Sequence, residues 1–361
     1  MNLWRCLILP LAWLLSGPSP AGAAAEDALA KVPGLPIVRV IRGRAVANWG
    51  TLGKQAEAEF GFDLVRAGYG RVVPGLSPDP VDLQAAEDEA NPWGYLRLLN
   101  GLTRENVLSA RALLIGVEAH RREYSPRPDG TKGWPVYTDR LVWRWDAPKE
   151  LRLAYPRWTS RVFRERYAAL CGVMPRWDIE PRLWLFDAAT PGPRWETTVP
   201  FYANYQTYCA RTGHPFRTTS WGGSPTVYPG VAHDGSRVLV WAGYSDPRVS
   251  FLFVYDDTGN PLRTVEAPGY WAWPRDGGVI RAPTAPLFAL RAQRRDEAAP
   301  GGTLDEWFLV NGEGDFLGRF VDDAGRPVAP EQLTNTHAYA ERTEADGTCT
   351  EFIIRLQPPK R

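Results

Sequence analysis

The chain has 361 residues, of which 44% are hydrophobic, with 42 lysines and arginines against 41 aspartates and glutamates. This length and apolar fraction suit either two ordinary domains or one large domain built from repeats. The balanced charge disfavours nucleic acid as a partner, because binding a phosphate backbone requires a surplus of basic residues.

Residues 1–25 have the pattern of a secretory signal peptide. Arg5 precedes an apolar run from Cys6 to Leu15, and the small-residue tract AGAAA follows at 21–25. Ten apolar residues are too few to cross a bilayer, which takes about twenty. We therefore expect a periplasmic or secreted mature chain without a transmembrane segment. Its charge would be 41 basic minus 41 acidic residues, or zero.

Three cysteines remain after such processing: Cys171, Cys209 and Cys349. Two of them can pair in an oxidising compartment, which leaves three pairings open. Cys171 with Cys209 is the first choice because it closes the shorter loop. The sequence has no CxxC motif, and its histidines (His120, His214, His233 and His337) show no metal-ligand spacing. We expect no metal and no cofactor.

The region before residue 126 divides into two parts. Residues 26–77 read as short amino-terminal strands, among them an extended segment from Pro36 to Asn48. Residues 78–125 are predicted to be a helical insertion, because apolar residues recur at helical spacing and Thr103 is suited to cap a helix. The residues on this apolar stripe are Val107, Ala110, Leu114 and Val117. A second, shorter helical pattern runs from Ser160 to Cys171.

Strand hairpins recur through residues 126–361. Each has an apolar strand, an Asp or Asn, a loop with Gly or Pro, and a second strand. The segments are LVWRWDAPKELRLAY (141–155), RLWLFDAATPGPRWETTV (182–199), SFLFVYDDTGNPLRTVE (250–266) and EWFLVNGEGDFLGRFV (306–321). Asp-Gly turns at 234–235, 276–277 and 346–347 suggest a further repeated element, with an insertion at 281–302 lengthening the last interval.

This order of strands and turns resembles a blade of the β-propeller repeat families, similar to periplasmic Tol-type and six-bladed propellers whose first turn reads Pro-Asp-Gly. His233, Arg275 and Ala345 stand where those families have proline. The resemblance covers about residues 215–356 well and 135–210 loosely. It implies a mainly β, propeller-like domain of about four to six blades, in which the strand near Ile37–Ile41 completes the last blade.

The turn at Asp257-Thr258-Gly259-Asn260 raises the question of whether its aspartates carry chemistry. Asp and Asn hydrogen-bond their own backbone in such turns, and Gly accepts positive φ, so turn formation explains each residue. A calcium loop is not indicated, since the distal bidentate Glu of a twelve-residue loop is absent.

Blade geometry places the ligand face on the side opposite this turn. Loops and crossings on that side carry aromatic, acidic and arginine residues suited to a glycan, an anionic polymer or a peptide. The candidate ligand-binding residues are Trp221, Tyr244, Asp246, Tyr270, Trp271, Arg291, Arg294 and Arg295. The alternative for each tryptophan is packing between blades.

The sequence contains no nucleophile elbow, phosphate-binding loop or dinucleotide fingerprint. It leaves the question of catalysis open. We expect an exported binding or scaffolding protein of the bacterial envelope. One alternative is a carbohydrate-active hydrolase that pairs Asp246 with Glu266, Asp305 or Glu306. Another is a subunit of an envelope complex that docks to a protein partner through residues 78–125.

Overall fold

A computed structural model describes residues 29–45, 95–101, 113–125, 136–148, 154–158, 166–173, 179–216, 225–272, 278–299 and 301–356. This part of the chain is mainly β, as predicted, with twenty strands and one helix. Its helix is too short and too polar to cross a membrane. The predicted signal peptide and Trp221 lie outside the described residues.

The described strands form four antiparallel sheets. Sheet I contains β2 (Tyr95–Gly101), β3 (Leu113–Ser125), β4 (Val136–Asp146), β5 (Ala154–Trp158), β6 (Tyr167–Val173), β7 (Arg182–Asp187) and β8 (Pro193–Thr198). Sheet II contains β9 (Thr226–Val231), β10 (Arg237–Ser245), β11 (Arg248–Asp256) and β12 (Pro261–Pro268). Sheet III contains β13 (Tyr270–Trp271), β14 (Val279–Arg281), β15 (Leu287–Arg295), β16 (Thr303–Asn311) and β17 (Phe316–Arg319). Sheet IV contains β18 (Ala329–Leu333), β19 (His337–Thr343), β20 (Thr348–Arg355) and β1 (Ile37–Ala45).

Consecutive sheets pack face to face through apolar cores. Leu185 and Phe251 meet between sheets I and II, and Trp241 and Phe308 meet between sheets II and III. A third core joins sheets III and IV. The central strands of sheet II are therefore covered on both faces, which explains the nearly continuous apolar sequences of β10 and β11. One strand of each sheet also lies beside a strand of the next, β6 beside β9, β9 beside β14, and β14 beside β18.

The amino-terminal strand completes the carboxyl-terminal sheet. β1 pairs antiparallel with β20, with Val40 opposite Phe352. This confirms the predicted partnership between the strand near Ile37–Ile41 and the end of the chain. The pairing satisfies backbone groups of β20 that would otherwise form an open edge.

The predicted helical insertion at 78–125 is wrong wherever the structure describes it. Residues 95–101 and 113–125 are strands β2 and β3, which pair with Leu98 opposite Val117. A short apolar run fits a helix or a strand equally well, and pairing of β3 with β4 decides for the strand. Thr103 lies outside the described residues, and the described part of this segment offers no docking helix.

The other helix assignments also need correction. The described end of the predicted helix at Ser160–Cys171 is strand β6. The helix that the structure contains, α1 (Phe201–Thr212), was not predicted. It buries Phe201, Tyr205, Tyr208 and Cys209. These residues recur at helical spacing, so the pattern was present in the sequence.

The predicted disulfide between Cys171 and Cys209 is not formed. Both residues, like Cys349, are buried free thiols. Cys171 on β6 and Cys209 on α1 belong to the same core between sheets I and II, where they pack as apolar side chains.

Candidate functional site

Of the two aspartates in the turn between β11 and β12, Asp256 has a structural role. Oδ1 of Asp256 accepts hydrogen bonds from the backbone nitrogens of Thr258 and Asn260, each at 2.9 Å. Asn311 makes the matching bonds in the turn between β16 and β17. The carboxylate that organises the bend is therefore that of Asp256, and its hydrogen bonds go to groups of the turn itself.

Two details of the predicted repeat are wrong. The Asp234-Gly235 turn joins β9 to β10, which are the first two strands of sheet II. The Asp346-Gly347 turn joins β19 to β20, which are the second and third strands of sheet IV when its edge strand β18 is counted first. These turns are not equivalent, and Asp276 lies outside the described residues. The predicted insertion at 281–302 contains β15, a central strand of sheet III rather than a loop.

Several predicted ligand residues do share one end of the sheets. Tyr270 lies opposite Arg294 in the pairing of β13 with β15, and Trp271 lies opposite Gln293. Arg295 ends β15, and exposed Asp246 follows β10.

Two of the predicted aromatic rings are not available for stacking on a sugar. Tyr270 is 2% exposed and Tyr244 is 4% exposed. The Tyr244 ring packs between sheets I and II, with its centroid 4.9 Å from that of Tyr205. An exposed aromatic platform that includes these two tyrosines is therefore not present.

Arg291 faces a different interface from Arg294. Side chains alternate along a strand, so Arg291 and Arg294 lie on opposite faces of β15. Arg291 hydrogen-bonds Asp305, and its guanidinium carbon lies 6.0 Å from the centroid of the Trp307 ring. The structure therefore separates Arg291 from Arg294, whereas Arg295 has the same parity along β15 as Arg291.

Four arginines and one buried carboxylate lie towards the same end of sheets II and III, and we call this group the arginine cluster. Its members are Arg248, Arg294, Arg295, Arg319 and Glu306. Glu306 is 3% exposed and pairs with two of the arginines. Nε of Arg294 is 3.2 Å from Oε2 of Glu306, and Nη1 of Arg319 is 3.6 Å from Oε1. The predictions did not include Arg248 and Arg319, because the contacts that bring Arg319 to Glu306 and Arg248 to Gly269 join distant parts of the chain.

The cluster carries surplus positive charge. Its four arginines compare with two carboxylates that pair with them, Glu306 with Arg294 and Arg319, and Asp296 with Arg294 at 3.5 Å. Four minus two leaves a surplus of two positive charges. Within the described ranges, Arg248 and Arg295 have no ion pair. Burial, and then the like charge of Arg295, lower the pKa of Arg248.

Two buried donors in the cluster meet hydrogen-bond geometry with no described acceptor. They are Nη1 of Arg248 and Oη of Tyr270. Burial, followed by the charge of Glu306 and a side-chain hydrogen bond to it, raises the pKa of Tyr270, so this hydroxyl faces the Glu306 carboxylate. Tyr270 therefore remains a protonated donor at neutral pH. A buried donor without a described acceptor, such as Nη1 of Arg248, is uncommon and calls for an explanation.

The carboxylates considered for glycoside hydrolysis are engaged in separate places. Glu266 hydrogen-bonds Arg211 of α1. Asp305 and Glu306 are neighbours on β16 and face opposite interfaces, each with its own arginine partner. Asp305 and Glu306 therefore cannot line one pocket together, as a glycosidase pair must.

No protein-family model matches the sequence, and a comparison with curated proteins gives no match. Among solved structures, the chain is similar to one from a structural and mechanistic analysis of two prolyl endopeptidases. The identity is 11% and the TM-score is 0.27, over 72% of this chain and 39% of that chain. This chain spans well under half of that structure's length. A likeness at this TM-score supports no conclusion about fold or activity.

Proposed function

We propose that this chain is an exported binding protein of the bacterial envelope, and that it captures an anionic ligand at the arginine cluster. The observation that carries the proposal is the pair Arg248 and Arg295, which stand at strand ends of sheets II and III and lack carboxylate partners in the described structure. The like charge of Arg295 contributes, after burial, to lowering the pKa of Arg248. Like charges held together are unfavourable, and an anion bound between them relieves the repulsion.

The position of the cluster supports the same function. Arg248 begins β11 and Arg295 ends β15, so both lie where strands meet the turns at one end of the sheets. Arg295 is exposed while Arg248 is partly buried. A ligand can therefore approach from solvent and reach a less hydrated guanidinium, where electrostatic attraction is stronger than in water.

The proposal includes a finer description of the fold and location. The face-to-face sheets belong to a β-propeller that places these turns on one rim, and the signal-like segment at 1–25 directs the chain to the periplasm or the medium. Expression in a bacterium followed by osmotic-shock fractionation tests the location. Recovery of the chain in the cytoplasm at full length would contradict it.

Binding of the full chain to three immobilised polyanions tests the function. The polyanions are a sulfated polysaccharide, a polyuronate and poly-glutamate, and a neutral glucan is the reference. We expect binding to at least one polyanion and none to the glucan. Arg295→Gln should weaken that binding about tenfold, because one charge-assisted hydrogen bond is lost.

Arg263→Gln is the matched control for the loss of one positive charge. Arg263 is bound to Asp315 at the opposite end of β16 from Arg295. This variant should bind the polyanion as the unmodified chain does. Equal loss in both variants would mean that net charge, rather than the arginine cluster, governs binding, and would overturn the proposal.

A further inference from the structure

We propose that residues 29–36 form a strap that positions the arginine cluster through Arg319, so that seating of the strap and binding of an anion at the cluster stabilise each other. This inference rests on the proposed function, since it names the part of the chain that controls the same site. Arg319 is the positioning residue, because its side chain contacts both the strap and Glu306.

Backbone hydrogen bonds seat the strap along β17. The Leu35 nitrogen donates to the carbonyl oxygen of Arg319 at 2.9 Å, and the Arg319 nitrogen donates to the carbonyl oxygen of Pro33 at 2.8 Å. Gly34 thereby forms a parallel bridge with Arg319. Two buried leucines anchor the strap, Leu29 in the core between sheets II and III and Leu35 in the core between sheets III and IV.

A continuous series of polar contacts joins the strap to Arg295. Nε of Arg319 donates to the carbonyl oxygen of Val32 at 2.8 Å, and Nη1 of the same guanidinium lies 3.6 Å from Oε1 of Glu306. Nε of Arg294 donates to Oε2 of Glu306 at 3.2 Å, and Nη1 of Arg294 donates to the carbonyl oxygen of Arg295 at 3.3 Å. A change at the strap can therefore reach the proposed anion site through connected groups.

The charge of Glu306 sets the direction of the effect. With the strap seated, the Val32 carbonyl holds the Arg319 guanidinium beside the carboxylate, which then has two arginine neighbours. Without the strap, Arg319 loses this acceptor, and its side chain, 23% exposed, can turn to solvent. Glu306 then keeps Arg294 alone, and its negative charge opposes an incoming anion more strongly. We therefore expect the seated state to bind the anion more tightly.

Gly318→Ala tests the coupling from the side of the strap. A Cβ added at Gly318 would lie 2.4 Å from Cδ2 and 2.6 Å from Cγ of buried Leu35, so the variant should displace the strap. Gly312→Ala is the matched control, because Gly312 lies in the same hairpin of β16 and β17 but its added Cβ meets Pro286 at 2.9 Å instead. Gly318→Ala should weaken polyanion binding about fivefold, and Gly312→Ala should leave it unchanged.

Hydrogen exchange of the unmodified chain gives a second measurement that needs no substitution. The amides of Leu35 and Arg319 report the seated strap, and the amide of Ala188, which donates to Arg166 next to sheet I, is the reference. Because coupling between two equilibria is reciprocal, saturating polyanion should slow exchange of the first two amides about fivefold and leave Ala188 unchanged. Gly318→Ala should speed exchange of the same two amides in the absence of polyanion.

Arg319→Lys tests the positioning role itself. Lysine keeps the positive charge, but its single nitrogen does not reproduce the two-point contact of the guanidinium with Val32 and Glu306. This variant should weaken polyanion binding about fivefold at unchanged net charge. Circular dichroism and the melting temperature establish that each variant is folded. Full affinity in folded Arg319→Lys would show that charge alone accounts for this residue, and would overturn its positioning role.

The two proposals fail separately. If a polyanion binds in an Arg295-dependent manner while exchange at Leu35 is the same with and without it, the coupling is wrong and the binding function stands. Full affinity in folded Gly318→Ala whose Leu35 amide exchanges fast, or an equal loss of affinity in Gly312→Ala, would also overturn the coupling. If no polyanion binds, both proposals are wrong.

Discussion

The indole Nε1 of Trp195 donates a hydrogen bond of 3.0 Å to the carbonyl oxygen of Asp257. The outermost strand of sheet I is thereby attached to the turn between β11 and β12 of sheet II. Gly259 in the same turn has φ of +86°, and a Cβ added there would lie 2.8 Å from a Trp195 ring carbon. Arg263 on β12 similarly hydrogen-bonds Asp315 in the matching turn of sheet III. Each of these turns therefore rests on the last strand of the preceding sheet.

Gly259→Ala should destabilise the protein by about 2–4 kcal/mol, because it adds a clash with Trp195 to the cost of a left-handed backbone. Gly325→Ala separates the two effects. Gly325 also has positive φ, 76°, but nothing lies within 4 Å of its added Cβ. Gly325→Ala should lower the free energy of unfolding by about 1–2 kcal/mol. Urea denaturation measures both, and equal costs would show that Trp195 does not constrain the turn.

Asp256→Ala should lower stability at neutral pH, whereas Asp257→Ala should not. The Thr258 hydroxyl, together with backbone hydrogen bonds, lowers the pKa of Asp256 to about 2. The folded state therefore favours the ionised carboxylate. The stability that this carboxylate contributes is present above about pH 4, the pKa of an aspartate in the unfolded chain. That contribution is lost as the pH falls towards 2.

Urea midpoints of Asp256→Ala and the unmodified chain, compared at pH 7 and near pH 2, measure this dependence. The difference between the two proteins should shrink at the lower pH. A larger effect from Asp257→Ala than from Asp256→Ala would show that the other carboxylate organises the turn.

Glu331→Gln should stabilise the protein above neutral pH. Burial, and then the negative charge of Glu341, raise the pKa of Glu331 to about 7. The folded state then binds the extra proton between about pH 4.5 and 7, so stability of the unmodified chain falls across that window as the pH rises. We expect Glu331→Gln to raise the free energy of unfolding by about 1–2 kcal/mol at pH 8, after allowing for solvent screening, and to leave it almost unchanged at pH 4.

Chemical denaturation at several pH values measures the effect of Glu331→Gln. Exposed Glu313→Gln controls for removal of one negative charge. A gain for Glu331→Gln that is the same at pH 4 and pH 8 would contradict the assignment of the raised pKa to Glu331.

The thiols of Cys171 and Cys209 should react with a thiol reagent only after unfolding. Burial raises the pKa of both thiols, and a thiolate is the reactive form. Peptide mapping by mass spectrometry after labelling of native and denatured protein follows each residue. A Cys171–Cys209 disulfide in protein purified from an oxidising compartment would show that the described core between sheets I and II is wrong at this point.

The turn at 256–260 could be predicted from the sequence because its interactions are local. Asp256 bonds to groups two and four residues ahead, and Gly259 supplies the positive φ, so neighbouring residues suffice to specify the bend. The mainly β class followed from such turns and the apolar segments between them. The pairing of β1 with β20 was also anticipated, because an unpaired edge strand needs a partner.

The strand conformation of residues 113–125 and the membership of the arginine cluster are determined by contacts between distant parts of the chain. The apolar residues of β3 suit a helix or a strand, and pairing with β2 and β4 decided the outcome. Arg294 and Arg295 were assigned to a loop because a run of polar residues does not reveal a central strand. Their neighbours Arg248, Glu306 and Arg319 come from β11, β16 and β17. Strand register, rather than sequence spacing, determines which charges share a buried interface.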